Sequence, residues 1–418
     1  MRIPESLAPL REPRFAWFFS ARVTSMAGST MAPIALAFAV LDLTDSASAL
    51  GIVLAARMIP MVLFLLLGGV LSDRFDRSTV MRASNLLSAL TQATVAYLVI
   101  SGNADLWMLI VLEAANGTVA AFTMPAMEGI IPQIVPRTHL QQANAMLSFS
   151  RAGLAVIGPT IAALLVASVG SGWALAVDSL SWLAAALLLT RVKLPPRQRQ
   201  DEPSMLRELR EGWSVFTGNT WLWVVVAGFA VMNGIHAGAW FTLGPAIARE
   251  SFGVKGWGYI LSAESIGLML MTLVMLRVRI GRPLLAGMIG VGTFSVPLLI
   301  LGLDPQVLPL VVAAFVAGAG MEVFGIGWSV SMQEHIDEHV LSRAYSYDAL
   351  GSFIAMPLGQ IIYGPLGEAF GYRPVLVVSG CVYLGVVLLV LSSRSVRNLR
   401  RTTVPDVALT TPTAHSAS

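Results

Sequence analysis

The chain is divided into twelve long, continuous apolar runs, at approximately 15–41, 48–71, 79–101, 106–132, 141–168, 173–191, 219–248, 256–276, 283–303, 307–331, 343–367 and 374–393. Each is long enough to cross about 30 Å of hydrocarbon as an α-helix. None alternates in the way a barrel strand does. Backbone inside lipid has to satisfy its own hydrogen bonds, so runs of this kind specify helices. Composition agrees: 56% of the 418 residues are hydrophobic and 12% are charged, about half the ~25% that a water-facing domain carries. Mean hydropathy is +0.73. A water-soluble enzyme is excluded. The single cysteine, Cys381, sits in an apolar run, and the five histidines lack metal-ligand spacing, so neither a disulfide framework nor a bound metal or other cofactor is expected.

The net charge of +3 does not point to nucleic acid, because the cations fall in short breaks between the runs. With the N-terminus placed inside, twenty-one Lys and Arg residues lie in inside segments and three (Arg249, Lys255, Arg373) in outside loops. The positive-inside rule then sets both termini in the cytoplasm. The first run is too long for a signal-peptide core and lacks a small-x-small cleavage site, so it reads as a retained first helix. The expectation is an all-α, multi-pass protein of the cytoplasmic membrane whose direct environment is the lipid bilayer.

The longest polar break divides the runs six and six. It sets expected boundaries at 1–191 for one six-helix bundle, 192–218 for a cytoplasmic linker, 219–393 for a second bundle and 394–418 for a polar, disordered tail. Within the linker, 204–216 reads either as an amphipathic surface helix or as plain connection. The halves show weak internal repetition. Ser148, Gly153 and Pro159 recur as Ser346, Gly351 and Pro357; Gly51, Leu54 and Ala56 recur as Gly258, Leu261 and Ala263, where Arg57 is matched by Glu264. Two pseudo-symmetric bundles follow.

Between the second and third runs lies Gly69-Val-Leu-Ser-Asp73-Arg74-Phe-Asp76-Arg77. It resembles the G-x-L-[AS]-D-R-x-G-R signature of the major facilitator superfamily, in the cytoplasmic loop where that family carries it. The resemblance implies a charged latch of Gly69, Asp73, Arg74 and Arg77, with Glu128 a plausible partner for either arginine. Asp76 and Ser78 depart from the signature, and the second half has only Arg277-Val-Arg279-Ile-Gly281-Arg282. In the fifth run, Gly153 through Ala163 looks like a loosened antiporter signature in which Gly158 and Pro159 bend the helix and let it pack closely. Glu113-Ala-Ala-Asn116-Gly117 stands where drug–proton exchangers carry R-x-x-Q-G, with glutamate replacing arginine.

Further stretches resemble the transmembrane secretion effector branch, the macrolide-efflux and siderophore-exporter type. They include Leu43 to Ser46, Pro60 to Arg77, Pro125, Pro132 and Pro136, Arg343 to Asp348 and Gly364 to Gly367. The resemblance implies a proton-driven exporter of an amphipathic small molecule, working as a monomer and rocking two bundles about a central cavity. An importer or facilitator of a small organic solute remains the alternative reading. A membrane-embedded sensor or enzyme is disfavoured, since no catalytic motif or soluble domain is present, and no P-loop indicates an ATP-driven pump.

A charge at a helix centre costs at least about 2.5–3.5 kcal/mol on the insertion scale, so each such residue needs a reason. Arg57, Arg151 and Glu322 fall near run centres; Arg22, Glu113, Asp178, His236 and Glu264 lie part-way in. Glu113 and Glu322, with Glu264 behind them, are the candidate proton carriers, because a carboxylate in a dry cavity can load from one side and release to the other. The competing reading pairs Glu264 with Arg57 and Glu322 with Arg151. Arg22, His236, Trp240, Phe324 and Trp328 are the candidate substrate cavity, offering flat apolar walls with a few polar groups.

Overall fold

The structure is a computed structural model that describes residues 5–74, 77–128, 130–136, 139–192, 213–214, 216–275, 277–278 and 280–401. Among these there is no strand, and twelve helices are long and apolar enough to cross a membrane. They are α1 (Pro13–Thr44), α2 (Ala47–Arg74), α3 (Arg77–Ser101), α4 (Leu106–Glu128), α5 (Leu140–Val169) and α6 (Ser171–Leu189), followed by α7 (Thr220–Ser251), α8 (Gly253–Met275), α9 (Pro283–Leu303), α10 (Val307–His335), α11 (Tyr347–Phe370) and α12 (Tyr372–Ser392). Every apolar run of the sequence is therefore a helix. A proline placed in a helix interior removes a ladder bond, and four spans use this to change course midway. α1 breaks at Thr30–Met31, α9 at Thr293–Phe294 and α11 at Ile354, while α7 loosens into a π-helix over His236–Leu243. The segment after each irregularity carries a proline in its first turn: Pro33, Pro297, Pro357 and Pro245 respectively.

The six helices of each half pack mainly on one another, α2 on α4 and α3 on α6 in the first half, α8 on α10 and α9 on α12 in the second. The repetition in the sequence has a backbone counterpart. Gly117 of α4 presses on the Arg57 carbonyl of α2, and Gly318 of α10 presses on the Glu264 carbonyl of α8 in the same way; neither glycine has room for a Cβ. The tight turns α5–α6 and α11–α12 are each made by one glycine at positive φ, Gly170 at 95° and Gly371 at 87°, a region closed to most side chains.

The halves meet along two seams, α2 with α11 and α5 with α8. Each has a glycine at its closest point, Gly51 on the Gln360 carbonyl and Gly258 on the Ala163 methyl group and the Pro159 carbonyl. Thr160 and Ser262 add a 2.8 Å hydrogen bond across the second seam. At the end of the molecule away from the termini, Arg249 pairs with Asp42 at 3.4 Å and with Asp45. Beside it, the Glu368 carboxylate accepts from the Ser46 hydroxyl (2.6 Å), the Ser48 hydroxyl (2.6 Å) and the Ser48 amide (3.0 Å). That end is sealed by contacts between the halves.

Gly69, Asp73 and Arg74 fall in the last turns of α2, Arg77 opens α3 and Glu128 closes α4. Their side chains lie outside the described residues, as do Phe75, Asp76, the linker over 193–212 and the tail from 402, so the latch expectation is neither met nor refused. At the C-terminal end of the linker, Trp213 and Phe216 stack at 5.8 Å and both lean on Tyr347 of α11. Gly158 lies against Thr30 of α1, and α5 continues as helix through Pro159.

Candidate functional site

The intramembrane charges do not gather into one cluster. In the first half, the close approach of α4 to α2 at Gly117 carries Glu113, one turn earlier, to Arg57. The Arg57 Nη1 to Glu113 Oε2 distance is 3.5 Å; the Glu113 side chain is fully buried, whereas Arg57 is 34% exposed. Neither Glu113 oxygen has a hydrogen-bond donor. The pair is thus held chiefly by charge, and about a third of the Arg57 side chain reaches open space. One residue on from the pair's helix face, buried Asn116 donates to Gln92 of α3 at 3.4 Å. Asp178 of α6 is also buried, beneath Gly28 of α1, with hydrogen bonds from Ser29 and Trp182 and one oxygen unpartnered.

The carboxylates of the second half are satisfied by neutral donors instead. Trp240 Nε1 donates to Glu264 at 3.1 Å, the Thr272 hydroxyl to Glu322 at 2.7 Å, and Trp328 Nε1 to Asp348 at 2.9 Å. The pairings weighed from sequence, Glu264 with Arg57 and Glu322 with Arg151, are not the ones formed: Arg57 takes Glu113. Sequence alone could not rank Glu113 above Glu264 as the partner, although Gly117 one turn after Glu113 marks where the two backbones touch.

The residues expected to line a cavity part company. Trp240 is fully buried against Trp257 (4.9 Å) and Phe294 (5.3 Å), and faces Glu264. His236 sits between Phe241 and Phe294, at 4.9 and 4.7 Å, with Nε2 unpartnered. Both belong to the π-helical stretch of α7, whose wider turn lets Tyr363 of α11 lie against Gly238. Phe324 stacks on Phe229 at 4.1 Å and on Trp328 at 5.8 Å, and Trp328 meets Trp221 edge-on. These rings form a continuous aromatic wall on α7 and α10. Arg22 lines a different space, a cleft of about 220 Å³ between α1 and α5 that Arg151 also enters. No group of side chains able to hold a metal ion occurs among the described residues.

A buried carboxylate held chiefly by charge can be neutralised either by its arginine or by a proton, and leaving it with neither is costly. The arginine-lined cleft offers a ligand apolar surface and directional polar contacts, whereas the aromatic wall is packed into the core.

The family model described as Transmembrane secretion effector matches residues 4–413. The chain is 22% identical over 396 residues to Macrolide efflux protein A of Streptococcus pyogenes, covering 92% of this chain and 97% of that one. It is 26% identical over 365 residues to the multidrug efflux pump Tap of Mycolicibacterium fortuitum, covering 84% and 88% respectively. Among solved structures, that of the nucleoside transporter NupG superposes with a TM-score of 0.73 at 15% identity, over 91% of this chain and 98% of that chain. The last likeness is one of fold.

Proposed function

Because the chain belongs to the transmembrane secretion effector family of the major facilitator superfamily, we propose that it exports an amphipathic small molecule across the cytoplasmic membrane by alternating access, drawing on the proton gradient. The observation that carries this reading is the Arg57–Glu113 pair, a fully buried carboxylate beside a partly exposed arginine, with the Asp178 carboxylate within electrostatic reach of both. With the termini on the cytoplasmic side, as the arginine distribution asks, the sealed end is the outer one. The conformation is then the inward-facing state, able to take substrate from the cytoplasm or the inner leaflet.

In this scheme a proton entering from outside protonates Glu113 and abolishes its attraction for Arg57. Release inward restores the pair. Binding of proton and substrate to opposite-facing states is what couples them, since a ligand drives a conformational change only through its different affinity for the two states. Glu322 and Glu264 are the second-half candidates for the same task. The two bundles, 1–191 and 219–393, rock about the glycine seams as single protein units, with 192–218 as the tether and 394–418 as a tail.

The test uses efflux-deficient cells making the protein and a panel of dyes and antibiotics. Lower retention than in control cells, lost with a protonophore and lost in Glu113→Gln, is the expected result. Retention unchanged across the panel sinks export, and raised retention replaces it with uptake.

A further inference from the structure

The cleft between α1 and α5 has a charge character that the proposed function leaves unused. Arg22 is nine residues past the start of α1 and Arg151 eleven past the start of α5, roughly 13–17 Å along each helix at 1.5 Å per residue. Two guanidinium groups therefore enter one small space within the apolar part of the chain. None of the cleft's described lining residues is acidic, and Arg151 makes no ion pair among the described residues, although it is exposed to the cleft. Asn144 and Ser148 line the wall on the α5 side, with Phe18 and Leu147 as apolar surface.

A cation in the apolar part of a membrane chain needs a counter-charge, and Arg151 has none among the described residues. The chain's other intramembrane arginine, Arg57, has a carboxylate. A ligand that brings negative charge supplies the missing counter-charge. A planar guanidinium also matches the two oxygens of a carboxylate or phosphate in a way an ammonium does not. A cationic amphiphile meets repulsion at the same place. The volume, about 220 Å³, is below the roughly 300–1,000 Å³ of a pocket that encloses a whole drug-sized ligand. The cleft thus fits an acidic head and the ring or chain next to it, with the rest of the molecule outside.

We propose that the α1–α5 cleft is the anchoring subsite for the acid group of an amphipathic organic anion, held between Arg22 and Arg151. This rests on the transport reading for its meaning as a substrate class, but charge selectivity is measurable without transport. The protein, purified in a neutral detergent, is titrated into fluorescein and into tetramethylrhodamine ethyl ester. These are xanthene dyes of similar shape and opposite charge, and binding is read by anisotropy.

Fluorescein binds more tightly, and Arg151→Gln and Arg22→Gln each weaken it by roughly tenfold, the size of one lost charge-assisted hydrogen bond. Rhodamine ester binding is unchanged or improved. Arg151→Lys keeps most of the charge and retains part of the affinity, and it reports on the site even where a glutamine variant folds poorly. Equal or tighter binding of the rhodamine ester, fluorescein binding indifferent to both arginines, or binding of neither dye overturns the assignment. Displacement of fluorescein by equimolar phosphatidylglycerol also overturns it, because the arginines are then anchors for a lipid phosphate. Selective binding of fluorescein by a protein that fails to export it from cells leaves the subsite standing and sinks the export reading instead.

Discussion

At the scale of single residues, the energetics of the first half turn on one ion pair. Glu113 is wholly buried and Arg57 partly so, so removing the arginine strands a negative charge. Arg57→Ala is expected to cost about 3 kcal/mol, the lower end for breaking a buried pair because Arg57 is partly hydrated. Replacing both partners by leucine removes the stranded charge and restores most of that loss. The measurement is the melting midpoint of the solubilised protein for the single and double variants. If the double variant melts with wild type and is inert in the dye assay, the pair serves transport, not folding. A double variant that still extrudes dye strips the pair of its coupling role. Glu264 offers the contrast. It occupies the position equivalent to Arg57 but takes a neutral indole donor, Trp240, so Trp240→Phe removes one hydrogen bond at about 1–3 kcal/mol while adding no stranded cation.

At the scale of helices, glycine sets the distances. Gly117 and Gly318 each lie against a carbonyl of the neighbouring helix with no space for a methyl group. Gly117→Ala and Gly318→Ala are each expected to destabilise by about 1–3 kcal/mol, the usual cost of overpacking, read as a lowered melting midpoint. Gly153→Ala, where nothing lies within 4 Å of a Cβ, is the internal control and leaves the midpoint unchanged or raised, since alanine is the better helix former. Equal effects at all three positions would refute close packing as the cause. The helices themselves were plain from the sequence, since twenty apolar residues in a row have one outcome in lipid. Their irregularities were less so. The prolines after the breaks in α1, α9 and α11, and Pro245 after the π-helix of α7, announce where each span falters, but a proline does not announce that α7 widens where the others break. Within that π-helix Gly238 lies against Tyr363, a contact between residues far apart in the chain.

At the scale of the whole molecule, the end away from the termini is held shut by exposed charges. Arg249→Glu turns two attractions, to Asp42 and Asp45, into repulsions. Exposed pairs are worth up to about 1 kcal/mol each, so opening of that end rises about fivefold or more. Ala47 is fully buried beside the seal. In an Ala47→Cys, Cys381→Ser background, the rate at which a membrane-impermeant maleimide labels position 47 reports the opening. Raising salt from 0.1 to 1 M, which shortens the screening length from about 10 to 3 Å, speeds labelling of the otherwise wild-type protein and not of the Arg249→Glu variant. A variant labelled no faster than its parent shows that the glycine seams alone hold the end closed. The sequence carried the count of spans and the identity of most buried charges. Which charges meet was hidden. Arg57, Glu113, Glu264, Glu322 and Arg151 lie on different helices, and their pairing depends on helix rotation, which hydropathy leaves undetermined.

Three of the close approaches between helices are made between bare backbone on one side and carbonyl on the other, at Gly51, Gly117 and Gly318. A joint of this kind contains no side-chain lock to be copied. Changes to lipid-facing and cavity-facing side chains therefore leave these joints untouched, so long as the three positions stay empty.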